Sequence, residues 1–422
     1  MEIKTLIYIL SIVISFVMMI YLIKKYHLTK YQVFIILLLI LFWSANIIIR
    51  AYRKSYALFD SNLGGLGLGS QLAASIASGY GLMSLFARFG VFYISDIFKS
   101  KKIMISTGLL LLLISNIFVL ITPGYNSLFF NSLMLGIGGS MLSLFNVLFA
   151  QSFKKEDTMI SVSILSIAPL LAEFMMSPFQ YALTEDNNQN YPALWFISSI
   201  ICIIAIIFLF FVKERLNSER KITTKHFEYI SHKFSIWILG FIGIIISLIK
   251  FSTSGSNLIT YFQSPLIKMS AFLVAYSDFL FSFSQLFAGV LTGIYLLKKF
   301  SMYQILFLGI GLEAIYLLIL IFNFNSLILF FSSILAGFSY GLTYNSLIGL
   351  ALATFDIKYQ EISMVLFQTL FAIGIFFGDK IYNIILSFFG GINENTLIFS
   401  IMLILCLLLL PIIKLLKQKE II

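Results

Sequence analysis

Residues 213–233 read KERLNSERKITTKHFEYISHK. This polar, mostly basic run interrupts an apolar chain, and its place decides the fold. Residues 31–212 precede it and residues 234–422 follow it, and each block reads as six long apolar segments. The run is therefore read as a cytoplasmic linker between two membrane-embedded halves.

Composition leads the same way. Of 422 residues, 60% are hydrophobic and 11% charged, and the mean hydropathy is +1.01. A soluble domain carries roughly 25% charged residues, so the relevant solvent is the bilayer. A spanning helix needs about 20 apolar residues to cross about 30 Å of hydrocarbon. Barrel strands would alternate over about ten residues, and these segments do not alternate. The segments run 33–56, 68–95, 102–122, 126–152, 158–182, 192–212, 235–262, 267–296, 301–322, 326–354, 360–388 and 395–416. One more apolar run, Thr5 to Ile23, ends in Lys24 and Lys25 and is read as an extra N-terminal helix within residues 1–30. Its core is too long for a cleaved signal.

The net charge of +10 follows topology rather than a nucleic-acid partner. On one side of the expected membrane lie Lys24, Lys25, Lys30, Lys99, Lys101, Lys102, Lys154, Lys155, the six Lys and Arg of the 213–233 run, Lys298, Lys299, Lys358, Lys414, Lys417 and Lys419. On the other lie only Lys4, Arg53, Lys54 and Lys268. Positive charge stays inside, so the linker and C-terminus are expected in the cytoplasm and the N-terminus outside, in a multi-pass protein of the plasma membrane. Cys202 and Cys406 fall in apolar runs, and His27, His226 and His232 lie far apart in polar connections. No metal or cofactor is expected. No phosphate-binding G-x-x-x-x-G-K-[ST] loop occurs, nor a nucleophile with its base, so no enzyme is expected.

The halves echo each other at an offset of about 200 residues. Asn126-Ser127-Leu128 matches Asn325-Ser326-Leu327, Asn146 matches Asn345, and Gly90-Val91 matches Gly289-Val290. Lys101-Lys102 matches Lys298-Lys299, and Arg50 matches Lys250. A parallel repeat of this kind places a substrate site at its interface near the midplane.

Residues 89–102, FGVFYISDIFKSKK, carry a family resemblance. The stretch resembles the loop between the second and third helices of the major facilitator superfamily, roughly G-x-x-x-D-R-x-G-R-R. Asp96, Phe98, Lys101 and Lys102 fit it, while Phe92, Ile97 and Lys99 stand at its Gly, Arg and second Gly. Gly136-Ile137-Gly138-Gly139 resembles that family's glycine-rich fourth helix, and Ala168-Pro169-Leu170-Leu171-Ala172 a weakened antiporter motif of the fifth. Tyr191-Pro192 and Trp195-Phe196 open the sixth segment in the family manner. The resemblance covers about residues 31–417. It implies an all-α membrane protein of two six-helix bundles, plus the extra helix, with segments 1, 4, 7 and 10 lining a cavity. It also implies a cytoplasmic gate, to which Arg88, Asp96, Lys101 and Lys102 are assigned.

Charges within the segments are the candidate site. One costs about 2.5–3.5 kcal/mol at the bilayer centre and therefore marks function by default. Arg50, Glu173, Lys250, Asp278 and Asp379 all fall about 24–31 Å from the inner charges at about 1.5 Å per residue, in one layer. Helical spacing adds Asn46, Asn257, Gln285 and Gln368 to the polar faces that would contact substrate, and Asn146, from the repeat, and Tyr344, a ring for packing or stacking, are taken with them. Glu313, on a supporting segment, is left out. The Arg50 and Lys250 pair is similar to anion-handling branches of the superfamily, notably organophosphate:phosphate antiporters. Two readings stand open: the cations grip a small anion from both halves, or Glu173, Asp278 and Asp379 neutralise them as structural pairs. The same carboxylates are candidates for proton coupling. The expected function is secondary transport of a small organic or phosphorylated anion by a monomer. The alternatives are a drug or lipid exporter, or a scaffold or sensor with a transporter's fold.

Overall fold

The computed structural model describes residues 13, 17, 19–21, 23–98, 100–150, 152, 165, 167–185, 189–212, 229, 231–322, 325–353, 360–389 and 394–419. The side chains of Asp96, Asn146 and Asp379 lie outside the described residues. So do most of the 213–233 run and most of the N-terminal helix.

The segments are helical over most of their described length. In chain order the helices are α1 (Lys30–Arg50), α2 (Arg53–Leu58), α3 (Ser70–Phe98), α4 (Lys101–Ile121), α5 (Tyr125–Ser140), α6 (Leu142–Ala150), α7 (Ile167–Thr184) and α8 (Tyr191–Phe210). The second half contributes α9 (Phe234–Ser252), α10 (Gly255–Gln263), α11 (Ala271–Leu291), α12 (Met302–Ile321), α13 (Ser326–Ala353), α14 (Gln360–Phe389) and α15 (Glu394–Lys419). Local chemistry starts several of them. Thr29 with Gln32 and Ser301 with Gln304 form reciprocal capping boxes on α1 and α12, which satisfy amide groups that a helix start leaves open. Asn190 caps α8, and Pro192 sits in its first turn, where no amide is missed.

Among the described residues, eight helices are long and apolar enough to cross a bilayer. Their outer faces carry large apolar side chains, among them Phe210, Ile121 and Phe388 at 75%, 73% and 78% exposure, as contact with lipid requires. The interior is held partly by polar bonds. Trp195 Nε1 donates to Asn131 Oδ1 at 3.0 Å, and Asn131 Nδ2 donates to Asn116 Oδ1 at 2.8 Å and Ser115 Oγ at 2.9 Å. Asn116 Nδ2 reaches Ser198 Oγ, whose hydroxyl donates to the Ala45 carbonyl. This network ties α1, α4, α5 and α8 with no water to compete.

Within the first half α1 packs on α7 and α8, α3 on α5, and α4 on α8. Within the second, α9 packs on α14, α11 on α13, and α12 on α13 and α15. The halves meet where α3 packs on α14 and α7 on α11. In the segment numbering these are pairs 2·11 and 5·8, and a shift of six exchanges one for the other, as a two-fold repeat demands. Gly81 makes the first contact possible, because a Cβ there would stand 2.5 Å from the Phe376 Cα.

The first segment is not one helix. It breaks at Ala51 and Tyr52, and its continuation α2 is buried. Arg53 and Lys54, counted above as loop charges, are 3% and 5% exposed. The sequence count missed this because a hydrophilic tetrapeptide at a segment's end looks the same whether it faces water or another helix.

Candidate functional site

The breaks in segments 1 and 7 place the two cations. Where α1 stops, the carbonyls of Ile47 and Ile48 accept from Gln180 Nε2 of α7, at 3.1 and 3.3 Å. A lost helical bond in lipid must be replaced in this way. In segment 7 the break falls at Thr253 and Ser254, and Gly255 takes φ +57°, a conformation that suits glycine. There Ser254 Oγ donates to the Lys250 carbonyl at 2.6 Å and Tyr316 OH to the Thr253 carbonyl at 2.9 Å. Arg50 and Lys250 thus occupy the last turns of α1 and α9, where the helix dipole favours a cation.

Each cation also faces aromatic rings. The Arg50 guanidinium lies 5.9 Å from the Tyr80 ring and 6.0 Å from that of Trp43. Lys250 Nζ lies 3.0 Å from the Phe281 centroid and 4.6 Å from that of Tyr340. Such contacts stabilise a desolvated cation by about 2 kcal/mol. Arg50 lies in the field of Glu173 and Asp278, and Lys250 in that of Asp278, Glu173 and Glu313. Arg50, Lys250, Asp278 and Glu313 are each half-buried inside the bundle, whereas Glu173 is buried and its Oε2 has no hydrogen-bond partner among the described residues.

A second bridge runs between the halves beside this cluster. Arg88 of α3 donates to Gln368 Oε1 of α14, and Gln368 Nε2 donates to Tyr344 OH at 2.8 Å. Tyr344 stacks on Tyr340 with centroids 5.4 Å apart, so the bridge ends on the ring under Lys250. Arg88, assigned above to a gate with Asp96, therefore contacts residues assigned to substrate.

The other assigned residues are spread more widely. Asn46 is 4% exposed and donates to the Phe42 carbonyl at 2.7 Å. It faces Gly138 of α5, where a Cβ would meet Asn46 Oδ1 at 2.3 Å. That is a contact inside the first half. Gln285 is half-buried, and its backbone packs on Gly341 of α13. Lys102 Nζ donates to the Val212 and Phe210 carbonyls at 3.0 and 3.3 Å, capping the end of segment 6. Lys101 is half-buried beside it at the start of α4. Asn257 is 1% exposed, and its Oδ1 accepts from Lys54 Nζ at 2.7 Å. Ser55 Oγ donates to Gln263 Oε1 at 2.7 Å alongside. These bonds join α2 to α10 and close the space between the halves at the end away from the 213–233 run.

Glu313 belongs with the cluster although the sequence reading set it aside. It lines a narrow cleft together with Lys250, Tyr340 and Thr343. The signal was present, since a lone carboxylate in an apolar helix is costly. Tyr80 and Gln180 carried no such signal, because a tyrosine or glutamine in a helix has many uses.

Helices long and apolar enough to cross a bilayer, and two halves meeting through exchanged contacts beside a cluster of charges, fit a transmembrane transporter. The family model of the Major Facilitator Superfamily matches residues 5–379, and the chain belongs to that family. Solved structures agree in fold. A POT family transporter in complex with a thioalcohol-conjugated peptide is similar at a TM-score of 0.74 and 14% identity, over 91% of this chain and 96% of that one. The nucleoside transporter NupG gives 0.71 and 13%, over 91% and 99%. A D-xylose-proton symporter gives 0.67 and 14%, over 90% and 96%. No curated protein matches the sequence.

Proposed function

We propose that the protein carries a small organic or phosphorylated anion across the membrane by alternating access, with a proton moving alongside. One observation carries this reading: Arg50 and Lys250, at matching helix breaks in the two halves, share the field of Asp278. Asp278 attracts both cations, with Glu173 also acting on each. An entering carboxylate or phosphate competes with Asp278 for both. Arg50 offers a planar two-pronged donor set and Lys250 a mobile point charge. An anion held by both cations ties the halves together, so it favours the state in which they close around it. The bonds between α2 and α10 keep the far end shut meanwhile. With the lysine-rich connections in the cytoplasm, that far end faces outside and the site opens inward. The protein works as a monomer in the plasma membrane, with its N-terminus outside.

The test is uptake of labelled anions into proteoliposomes, using inorganic phosphate, sugar phosphates and small mono- and dicarboxylates, with and without a pH gradient. Arg50→Ala and Lys250→Ala should each abolish anion uptake while the protein stays folded. Unchanged uptake in both would remove the anion assignment. Efflux of apolar compounds as the sole activity would replace it with an exporter of drugs or lipids, and a folded protein that moves nothing would point to a scaffold.

A further inference from the structure

We infer that Glu313 is the residue that takes up the transported proton, and that it acts by releasing Lys250 to the anion. This rests on the anion reading above and names the proton site within it.

The geometry begins with Gly309, one turn before Glu313 on α12. A Cβ there would lie 2.7 Å from Thr343 Cγ2, so the glycine brings α13 close enough for Glu313 to reach Ser339. Ser339 Oγ contacts Glu313 Oε2 and also lies 2.8 Å from the Ala336 carbonyl. A hydroxyl has one proton to give. If Glu313 is ionised, both neighbours are acceptors and one goes unserved. If Glu313 is protonated, it donates to Ser339 Oγ while Ser339 donates to Ala336, and each contact is satisfied. The pocket therefore fits the acid form in full.

The surroundings of Glu313 are sparse in charge. Its side chain contacts Ser339 of α13, and it shares its cleft with Lys250 of α9, Tyr340 and Thr343 of α13 and Cys406 of α15, whose thiol donates to the Ile310 carbonyl at 3.2 Å. Ile246, Ile249 and Leu409 complete the cleft. Glu313 thus feels one cation, Lys250, whereas Asp278 feels both Arg50 and Lys250. Neutralising Glu313 gives up less attraction than neutralising Asp278. Lys250 then has no partner on the α12 side and turns its charge to the anion.

Two measurements on the full chain test this. The first needs no substrate: infrared difference spectra of the purified protein recorded between acid and alkaline pH. The wild type should lose a protonated-carboxyl band on alkalinisation. That band should be absent from Glu313→Gln and retained in Asp278→Asn. A band that persists in Glu313→Gln, or vanishes in Asp278→Asn instead, overturns the inference. Ser339→Ala covers the case of a misfolded glutamine variant. Loss of the hydroxyl partner should shift the band, and an unshifted band sinks the idea equally. The second measurement is accumulation of the anion under a one-unit pH gradient with the membrane potential clamped at zero. One coupled proton allows about tenfold accumulation. Glu313→Gln should accumulate none, and tenfold accumulation by that variant refutes the proton site. A wild type that moves no anion at all would end the anion reading, while the infrared result would still decide Glu313.

Discussion

Asn257→Ala combined with Ser55→Ala should open the end of the protein that α2 and α10 close. The Lys54–Asn257 bond, at 2.7 Å, is charge-assisted and contributes about 1.5–3 kcal/mol. The Ser55–Gln263 bond, also 2.7 Å, is neutral and contributes about 0.5–1.5 kcal/mol. Both cross from the first half to the second, so they exist only while this end is shut. Their loss shifts the balance toward the opposite opening by about 2–4.5 kcal/mol, or roughly 30- to 2,000-fold. The assay is a spin-label distance measurement between Asn62→Cys in the loop after α2 and Leu266→Cys after α10. The native thiols Cys202 and Cys406 are buried and do not compete for label. In the parent protein a short distance should dominate, and in the double variant a longer one. Asn257 also donates to the Phe251 carbonyl at 2.9 Å and so helps cap the helix break. Ser55→Ala alone leaves that cap intact and should give a smaller shift in the same direction. Distance distributions that match the parent in both variants would show that these bonds do not hold the end closed.

Three further outcomes follow from packing. Gln180→Leu strands the Ile47 and Ile48 carbonyls at the α1 break and should cost about 1–3 kcal/mol, seen as a lower melting temperature in detergent. Gly81→Val forces a side chain against Phe376 between α3 and α14. Overpacking costs about 1–3 kcal/mol and falls on the contact between halves, so both stability and transport should drop. Asn131→Leu leaves Trp195 Nε1 without its acceptor and should cost about 1–3 kcal/mol, with a change in tryptophan fluorescence reporting the loosened first half.

The candidate site was partly legible before any coordinates. Arg50, Glu173, Lys250 and Asp278 stand out because ionisable side chains are rare and costly in apolar segments. Depth along each helix put them in one layer, and they lie in one another's fields. Glu313 was dropped by a rule about which segments line a cavity, although the same cost argument applied to it. Asn46 and Asn257 look like ligands on a helical wheel, and the fold sets Gly138 against one and Lys54 against the other. A wheel tells which face a residue occupies, not what covers that face.

The number of apolar segments, their lengths and the asymmetry of lysine and arginine follow from the chain alone, because transfer of each helix into lipid depends on its own side chains. The matching of Arg50 with Lys250 was likewise written in the repeat. The helix break at Ala51–Tyr52, the Arg88–Gln368–Tyr344 bridge and the placing of Glu313 in one cleft with Lys250 belong to the tertiary structure. Each needs a partner from a distant segment, such as Gln180 for the freed carbonyls, and a helix's own residues do not specify which neighbour will supply it.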